Sequence, residues 1–140
     1  KWAVVIGGGA NHRYGLFDMI LIKDNHIDFA GGITQAIDAA NKYLKQKRKK
    51  LHIEVETRTL SDVKKVLLHG GVQRVMLDNY TPGQTRQAVK LINGTFEVES
   101  SGGINETNIA VYAKAGVDFI SIGALTHHVK SLDLSLKAIK

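Results

Sequence analysis

The chain has 140 residues, no cysteine, and 19 lysine and arginine residues against 13 aspartate and glutamate residues, which gives a formal net charge of +6. This length is that of one ordinary domain, and the lack of cysteine excludes disulfides, thiolate metal sites and a cysteine nucleophile. We expect a reducing, cytoplasmic location and an anionic partner, either a phosphorylated metabolite or a nucleic acid. We expect no membrane association, because no apolar run is long enough to span a bilayer.

Short apolar runs that end in polar residues or glycine alternate with segments of helical period, a pattern typical of α/β proteins. In chain order, the predicted strands are Met19 to Ile22, Leu51 to Glu56, Arg74 to Asn79, Phe96 to Ser101 and Asp118 to Gly123. The first strand ends in a polar tip that runs from Lys23 to His26. Amphipathic helices are predicted between the strands, with buried stripes at Ile33 to Ala40, Leu60 to Leu67, Thr85 to Ile92 and Ile109 to Ala113. The chain closes on a short amphipathic tail with Leu132, Leu134 and Leu136.

Four of the predicted strand ends are evenly spaced. Glu56, Asp78, Ser101 and Gly123 follow one another at intervals of 22 or 23 residues. Repeated βα units of this length bring the carboxyl ends of parallel strands to one rim, as in a (β/α) barrel. A closed eight-stranded barrel needs about 250 residues, so we predict an incomplete (β/α) barrel of about five parallel strands. A doubly wound open sheet is the second choice, since no strand-to-helix turn carries Gly-x-Gly-x-x-Gly.

Six motifs occur in the order known from one enzyme family. They are Gly7-Gly8-Gly9-Ala10-Asn11-His12-Arg13-Tyr14-Gly15-Leu16, Leu21-Ile22-Lys23-Asp24-Asn25-His26, Glu54-Val55-Glu56, Leu77-Asp78-Asn79, Glu99-Ser100-Ser101-Gly102-Gly103-Ile104 and Gly123-Ala124-Leu125-Thr126-His127. Together they resemble the quinolinate phosphoribosyltransferase family. Each motif alone is weakly specific, whereas six in one order make a chance match improbable.

The resemblance implies a type II phosphoribosyltransferase barrel and the activity that accompanies it. Residues 1–140 correspond to the C-terminal portion of the barrel domain, and we expect the N-terminal sandwich domain and first barrel elements to be absent from this sequence. The implied reaction transfers phosphoribose from phosphoribosyl pyrophosphate to quinolinate with decarboxylation, giving nicotinate mononucleotide, pyrophosphate and carbon dioxide in NAD biosynthesis. The family also implies a homodimer of full-length subunits and a requirement for Mg²⁺. The isolated 140-residue chain is expected to be nearly inactive.

His12, Arg13 and Lys23 are the candidates for binding the dicarboxylate. Arginine offers a planar fork for carboxylates, and lysine offers a compact charge that could stabilise negative charge developing on decarboxylation. Lys23 is the principal catalytic candidate, because its stem leaves an apolar strand where an ammonium group needs an anion. His26 is interpreted either as a support for these groups or as a structural hydrogen-bonding residue.

Glu56 and Asp78 are the acidic candidates, with catalytic, ribose-binding and magnesium-binding roles. Magnesium contact could be direct or through water, and negative charge would favour an oxocarbenium-like C1. Asn79 is expected to orient one of these groups. Glu54 is treated as a weaker candidate, on the expectation that strand alternation points it away from Glu56. The structural alternative is that the two acids form a salt-bridge network with Lys23 or Arg13.

Ser101, Gly102 and Gly103 are predicted to form a phosphate cradle. Glycine allows backbone amides to approach an anion, and a helix that starts near Asn105 would add its positive end. Gly123 and His127 would complete this pocket, and a zinc site at His127 and His128 is not expected without further ligands.

Three other functions remain open at this point. A related pyrophosphorylase with another acceptor, such as those associated with molybdate transport, would share the motifs, and a non-catalytic phosphate-binding fragment would share the cradle. A nucleic-acid module is disfavoured, because aromatic residues make up only 6% of the chain and stand apart from the basic stretch Lys45 to Lys50. That stretch is interpreted as solvated surface at a helix end.

Overall fold

A five-stranded parallel sheet forms the centre of the computed structural model, which describes residues 1–128 and 130–139. The strands are β1 (Met19–Ile22), β2 (His52–Thr57), β3 (Arg74–Asp78), β4 (Glu97–Ser101) and β5 (Phe119–Ile120). The helices are α1 (Trp2–Ile6), α2 (Asp24–Ala30), α3 (Ile33–Lys47), α4 (Leu60–His69), α5 (Pro82–Ile92), α6 (Ile109–Ala113) and α7 (Ala124–His127). The strands lie in the order β1-β2-β3-β4-β5, and every neighbouring pair is parallel. This confirms the predicted α/β fold of five parallel strands in an unclosed barrel.

The apolar core lies between one face of the sheet and the helices. Ile53, Val55, Val75 and Leu77 supply that face and are at most 1% exposed. They belong to one cluster with residues of α3, α4 and α5. Because side chains alternate along a strand, the intervening residues of β2 and β3 point to the opposite face, which is the inner face of the partial barrel.

Capping residues set the starts of the two helices beside the central strands. Thr59 accepts a hydrogen bond from the amide of Asp62 at the start of α4, and Thr81 accepts one from Gln84 before Pro82 opens α5. Both are capping boxes, which satisfy backbone donors that a helix start leaves free. Pro82 thus occupies the first position of α5 directly after its Thr81 cap, and the strand ends that precede these helices are held at the rim.

Four local features differ from the sequence prediction. Asp24 to His26 begin helix α2 instead of forming the polar tip of the first strand, β5 has only two residues, and the exposed tail contains no helix or strand in residues 130–139. In α6 the buried side chain is Tyr112, while Ala110 and Ala113 are exposed. The tyrosine hydroxyl donates to the carbonyl of Tyr80 at 2.9 Å, which turns that face of the helix inward.

The remaining surface predictions concern charge and hydrophobicity. The basic stretch Lys45 to Lys50 is fully exposed at the end of α3, as expected of a solvated helix terminus. None of the described helices has the length and apolar character required to cross a membrane.

Candidate active site

A cleft of about 800 Å³ opens at the carboxyl ends of the strands. All the predicted site residues except Asn79 line it, namely His12, Arg13, Lys23, Glu56, Asp78, Ser101, Gly102, Gly103, Gly123 and His127. Asp24, Ser121 and His128, which were not predicted as site residues, also contribute to the wall. The regular βα spacing therefore brings basic, acidic and glycine-rich segments into one site.

The basic end of the cleft is formed by the segment before β1 and by the end of β1. Lys23 is the N-cap of α2, and its backbone amide donates to Nδ1 of His26 at 2.9 Å. Of the two interpretations given for His26, this hydrogen bond favours that of a structural hydrogen-bonding residue. Among the described residues, neither Lys23 nor Arg13 forms an ion pair with an acidic side chain. Both cations are therefore available to an anionic ligand.

Glu56 and Asp78 form an acidic pair on adjacent strands. Within residues 1–128 and 130–139 neither carboxylate has an ion-pair partner, so the salt-bridge network with Lys23 or Arg13 is not formed. Burial raises the pKa of Glu56, and the negative charges of Asp78 and Asp24 raise it further. The nearby charges of Lys23 and Arg58 offset this rise only in part, and a pair of carboxylates in this setting favours a cation.

Asn79 connects the acidic pair to the glycine turn from outside the cleft wall. Its side-chain amide donates to Asp78 at 2.8 Å, and its backbone amide donates to the carbonyl of Ser101 at 2.9 Å. Asn79 also has a left-handed φ of 55°, a conformation that asparagine tolerates better than most residues. Asn79 is thus hydrogen-bonded to Asp78, one of the two acidic residues that it is expected to orient.

The turn that follows β4 requires glycine at one position in particular. Gly102 has φ 91°, and a Cβ atom there would lie 2.3 Å from Oδ1 and 2.8 Å from the backbone nitrogen of Asn79. Gly103 has φ 64° but open space around its Cβ position. The predicted helix start near Asn105 is wrong, because a hydrogen-bonded turn at Asn105 precedes α6, which begins only at Ile109. A phosphate bound at this turn would therefore meet the backbone amides of the glycines, while the first residue of α6 lies further along the chain.

A buried ion network lies on the inner face of the sheet next to the cleft. His12 Nε2 is 2.8 Å from Oε2 of Glu54 and 3.5 Å from Oε1 of Glu99. Arg74 binds Glu99 at 3.0 Å and Glu97 at 2.9 Å, and its guanidinium stacks 3.8 Å from the centre of the Phe119 ring. These residues connect β2, β3, β4 and β5 to the segment that carries His12.

The expectation that Glu54 points away from Glu56 is wrong. Residues two apart in a strand lie on the same face, and the structure places Glu54 inward and completely buried beside His12. The signal that could have found the network was a glutamate between two buried residues in both β2 and β4, since a charge in such a strand needs a partner. That the partner of Glu54 is His12 could not be predicted, because the two residues are 42 positions apart and no local pattern connects them.

The electrostatics of the network favour a protonated histidine. The hydrogen bond to Glu54 is the main cause of a raised pKa at His12. Burial raises the pKa of Glu99, and the negative charge of Glu54 adds to the effect. His12, Glu54 and Glu99 place ligand atoms within 4.8 Å of one another, which is also compatible with a metal. Arg74, however, already supplies a positive charge 3.0 Å from Glu99, so we interpret the cluster as an ion network.

The parallel strands end at a cleft that contains unpaired cations, an acidic pair and a glycine turn. These features define a barrel-type α/β protein with a cleft at the rim that is suited to an anionic ligand. Residues 1–137 match the family described as quinolinate phosphoribosyl transferase, C-terminal domain. The chain belongs to this family.

Similar proteins agree with this assignment. The chain is 50% identical to the chloroplastic nicotinate-nucleotide pyrophosphorylase (carboxylating) of Arabidopsis thaliana, over 98% of this chain and 43% of the relative. It is 46% identical to the mitochondrial quinolinate phosphoribosyltransferase (decarboxylating) 2a of Nicotiana tabacum, with the same coverage. The solved nicotinate-nucleotide pyrophosphorylase of Francisella tularensis superposes with a TM-score of 0.87 at 43% identity, over 96% of this chain and 46% of that one. The chain thus spans less than half the length of these relatives.

Proposed function

We propose that this chain supplies the rim of the site at which phosphoribosyl pyrophosphate and quinolinate react. The ring nitrogen of quinolinate forms a bond to C1 of the ribose as the bond from C1 to pyrophosphate breaks. The bond between the ring and the 2-carboxylate then breaks, carbon dioxide leaves, and a proton replaces it to give nicotinate mononucleotide. The observation that supports this proposal is the single cleft in which unpaired cations, an acidic pair and a glycine turn face one another.

The basic end of the cleft suits the dicarboxylate. Arg13 provides a fork that matches one carboxylate, and His12 provides a further donor. Lys23 is a compact charge, which is suited to stabilising the negative charge left on the ring as carbon dioxide departs. Removing these side chains from water on substrate binding would strengthen each interaction, because charges interact more strongly at low dielectric.

The glycine turn and the acidic pair suit the phosphoribosyl half. Backbone amides of Gly102 and Gly103 are the proposed donors to the 5-phosphate, joined by Ser101, Gly123 and His127. Glu56 and Asp78 are the proposed acceptors for ribose hydroxyls, and their negative charge favours a positively charged C1 in the transition state. Asn79 keeps Asp78 in place through its side-chain amide.

The release of carbon dioxide from quinolinate tests this function. We expect the polypeptide, as its gene encodes it, to release carbon dioxide from the 2-carboxyl group only when phosphoribosyl pyrophosphate is present. Nicotinate should be a poor acceptor, because a site built for two carboxylates leaves a cation unpaired when one carboxylate is absent. Release from labelled quinolinate can be measured directly. No release, or a preference for nicotinate, would contradict the proposal, and the latter would favour a related pyrophosphorylase with another acceptor.

Magnesium fits the acidic pair, because burial raises the pKa of Glu56 and the neighbouring charge of Asp78 raises it further, so a bound cation would stabilise the ionised carboxylates. We propose that Glu56 and Asp78 hold Mg²⁺ directly or through water. When bound, the ion supplies positive charge to the pyrophosphate leaving group.

Replacing Glu56 with glutamine tests the magnesium proposal. We expect the Mg²⁺ concentration for half-maximal activity to rise about tenfold, because the amide keeps the shape of the carboxylate but removes its charge. Glu106→Gln, at an exposed position in the turn before α6, is the matched control and should behave as the wild type. Magnesium titration of the initial rate measures the effect, and an unchanged titration curve for Glu56→Gln would refute the assignment.

The homodimer implied by the family and the cytoplasmic location are also proposals. Trp2 and Phe29 are 84% and 92% exposed, and aromatic side chains this exposed support a surface that other polypeptide covers. The location rests on the lack of cysteine alone, while the two plant relatives are named chloroplastic and mitochondrial.

A further inference from the structure

Glu54 does not line the cleft, yet its burial and its partners connect it to His12, which does. The side chain is completely buried in the middle of β2. Its only hydrogen bond within the described part of the chain joins Oε2 to Nε2 of His12, while Oε1 has no hydrogen-bond partner there. A buried carboxylate is unfavourable without a compensating charge. Arg74 lies 3.9 Å from the same oxygen and compensates the charge of Glu54 only in part. The closer contact with His12 therefore provides the rest.

This contact determines which nitrogen of His12 is available in the cleft. Nε2 lies between two carboxylates, Glu54 at 2.8 Å and Glu99 at 3.5 Å, and a nitrogen between two acceptors carries a proton. The ring lines the cleft and its side chain is 26% exposed. Since Nε2 is engaged by Glu54, Nδ1 is the atom left to meet a ligand, and in the imidazolium form Nδ1 also donates.

The rest of the network holds Glu54 and Glu99 in place behind the ring. The hydroxyl of Ser121 donates to Glu99, and the guanidinium of Arg74 binds the other oxygen of that carboxylate at 3.0 Å. Three glutamates, at positions 54, 97 and 99, face one guanidinium in this cluster. Protonated His12 reduces the excess negative charge, so the network stabilises the same form of the ring that would bind an anion.

We propose that Glu54 is a positioning residue, which orients His12 through Nε2 so that Nδ1–H binds one carboxylate of the pyridine dicarboxylate. This inference rests on the proposed function and adds to it a residue that does not touch substrate. It predicts a specific kinetic consequence, since only the acceptor half of the reaction depends on His12.

The variant Glu54→Gln keeps the shape of the side chain and its ability to accept from Nε2–H, but removes the charge. We expect the KM for quinolinate to rise about tenfold, the difference between a charge-assisted and a neutral hydrogen bond. The KM for phosphoribosyl pyrophosphate should stay unchanged. Glu97→Gln is the matched control, because Glu97 binds the same Arg74 but is 45% exposed and does not contact His12.

A double-mutant cycle separates positioning from a general structural effect. In a His12→Asn background, Glu54→Gln should cause no further rise in the KM for quinolinate, because the side chain through which it acts is gone. An equal rise in that background would overturn the inference. So would an unchanged KM in the single variant, or equal changes in kcat and in both KM values.

A measurement on the wild-type protein does not depend on whether the variants fold. The ¹⁵N resonance of Nδ1 of His12 should shift when quinolinate is added and remain in place when only inorganic phosphate is added. A resonance that quinolinate does not move would overturn the inference. The two proposals fail differently, because an inactive wild-type enzyme contradicts the function, whereas an active one with a silent Glu54→Gln variant contradicts only the role of Glu54.

Discussion

Replacing Lys23 with alanine is expected to lower kcat/KM for quinolinate by a factor of about 10² to 10³, the loss that follows when one preorganised donor is removed from a developing negative charge. Lys23 directly follows β1 at the rim of the cleft and has no ion-pair partner among the described residues. Its ammonium group is therefore not held in a salt bridge of the fold. The measurement is the initial rate of carbon dioxide release at several quinolinate concentrations.

The variant should fold normally, which makes its kinetic effect interpretable. The contact that caps α2 uses the backbone amide of Lys23 and the ring of His26, and truncating the lysine side chain leaves both in place. Lys64→Ala, at an exposed position on α4, is the control and should retain wild-type kinetics. A Lys23→Ala enzyme that keeps wild-type kcat/KM would show that another group stabilises the departing carboxylate.

Gly102→Ala is expected to destabilise the fold by about 3 kcal/mol, from the left-handed backbone and from overpacking. A Cβ atom at Gly102 would lie 2.8 Å from the backbone nitrogen of Asn79, and backbone atoms cannot move aside as a flexible side-chain end can. Displacing Asn79 also disturbs its contact with Asp78. We therefore expect the variant to lose binding of phosphoribosyl pyrophosphate as well as stability. Denaturant unfolding and ligand titration measure the two effects.

Gly103→Ala provides the matched control for this prediction. Gly103 has a positive φ as well, but no atom lies within 4 Å of its Cβ position. The expected destabilisation is therefore about 1 kcal/mol, from backbone conformation alone. Equal destabilisation in the two variants would mean that contact with Asn79 is not what requires glycine at position 102.

The fold could be predicted from the sequence because apolar strands and helix caps are each encoded by neighbouring residues. Residues such as Ile53 and Val55 alternate with charged neighbours, and Thr81-Pro82 marks a helix start directly. Helix α2 was missed because Asp24, Asn25 and His26 are poor helix formers, and their helix is instead stabilised by a cap on the backbone of Lys23. Such a contact is visible only in three dimensions.

The site residues could be predicted from the sequence where a chemically reactive side chain stands at the end of a predicted strand, as Glu56 and Asp78 do. The ion network could not be predicted, because His12 and Glu54 meet across 42 residues and no periodicity relates a loop to a strand. The helix start expected near Asn105 also failed, since local hydrogen bonds of Asn105 and Asn108 favour a turn before α6. Polar side chains that compete with the backbone in this way make helix starts difficult to place.

The buried charges of the inner face also bear on how the strands find their partners during folding. Strands β2, β3 and β4 each present valine or isoleucine to the helices, and a one-residue slip would turn these side chains to the other face of the sheet. In the native register Glu54 is paired with Arg74, and Arg74 with Glu97. A slip of β3 by one residue would turn the guanidinium toward the apolar helix layer and leave Glu54 and Glu99 without it, an error of several kcal/mol. The carboxylates beside His12 thus favour the native strand register over a one-residue slip while the sheet forms.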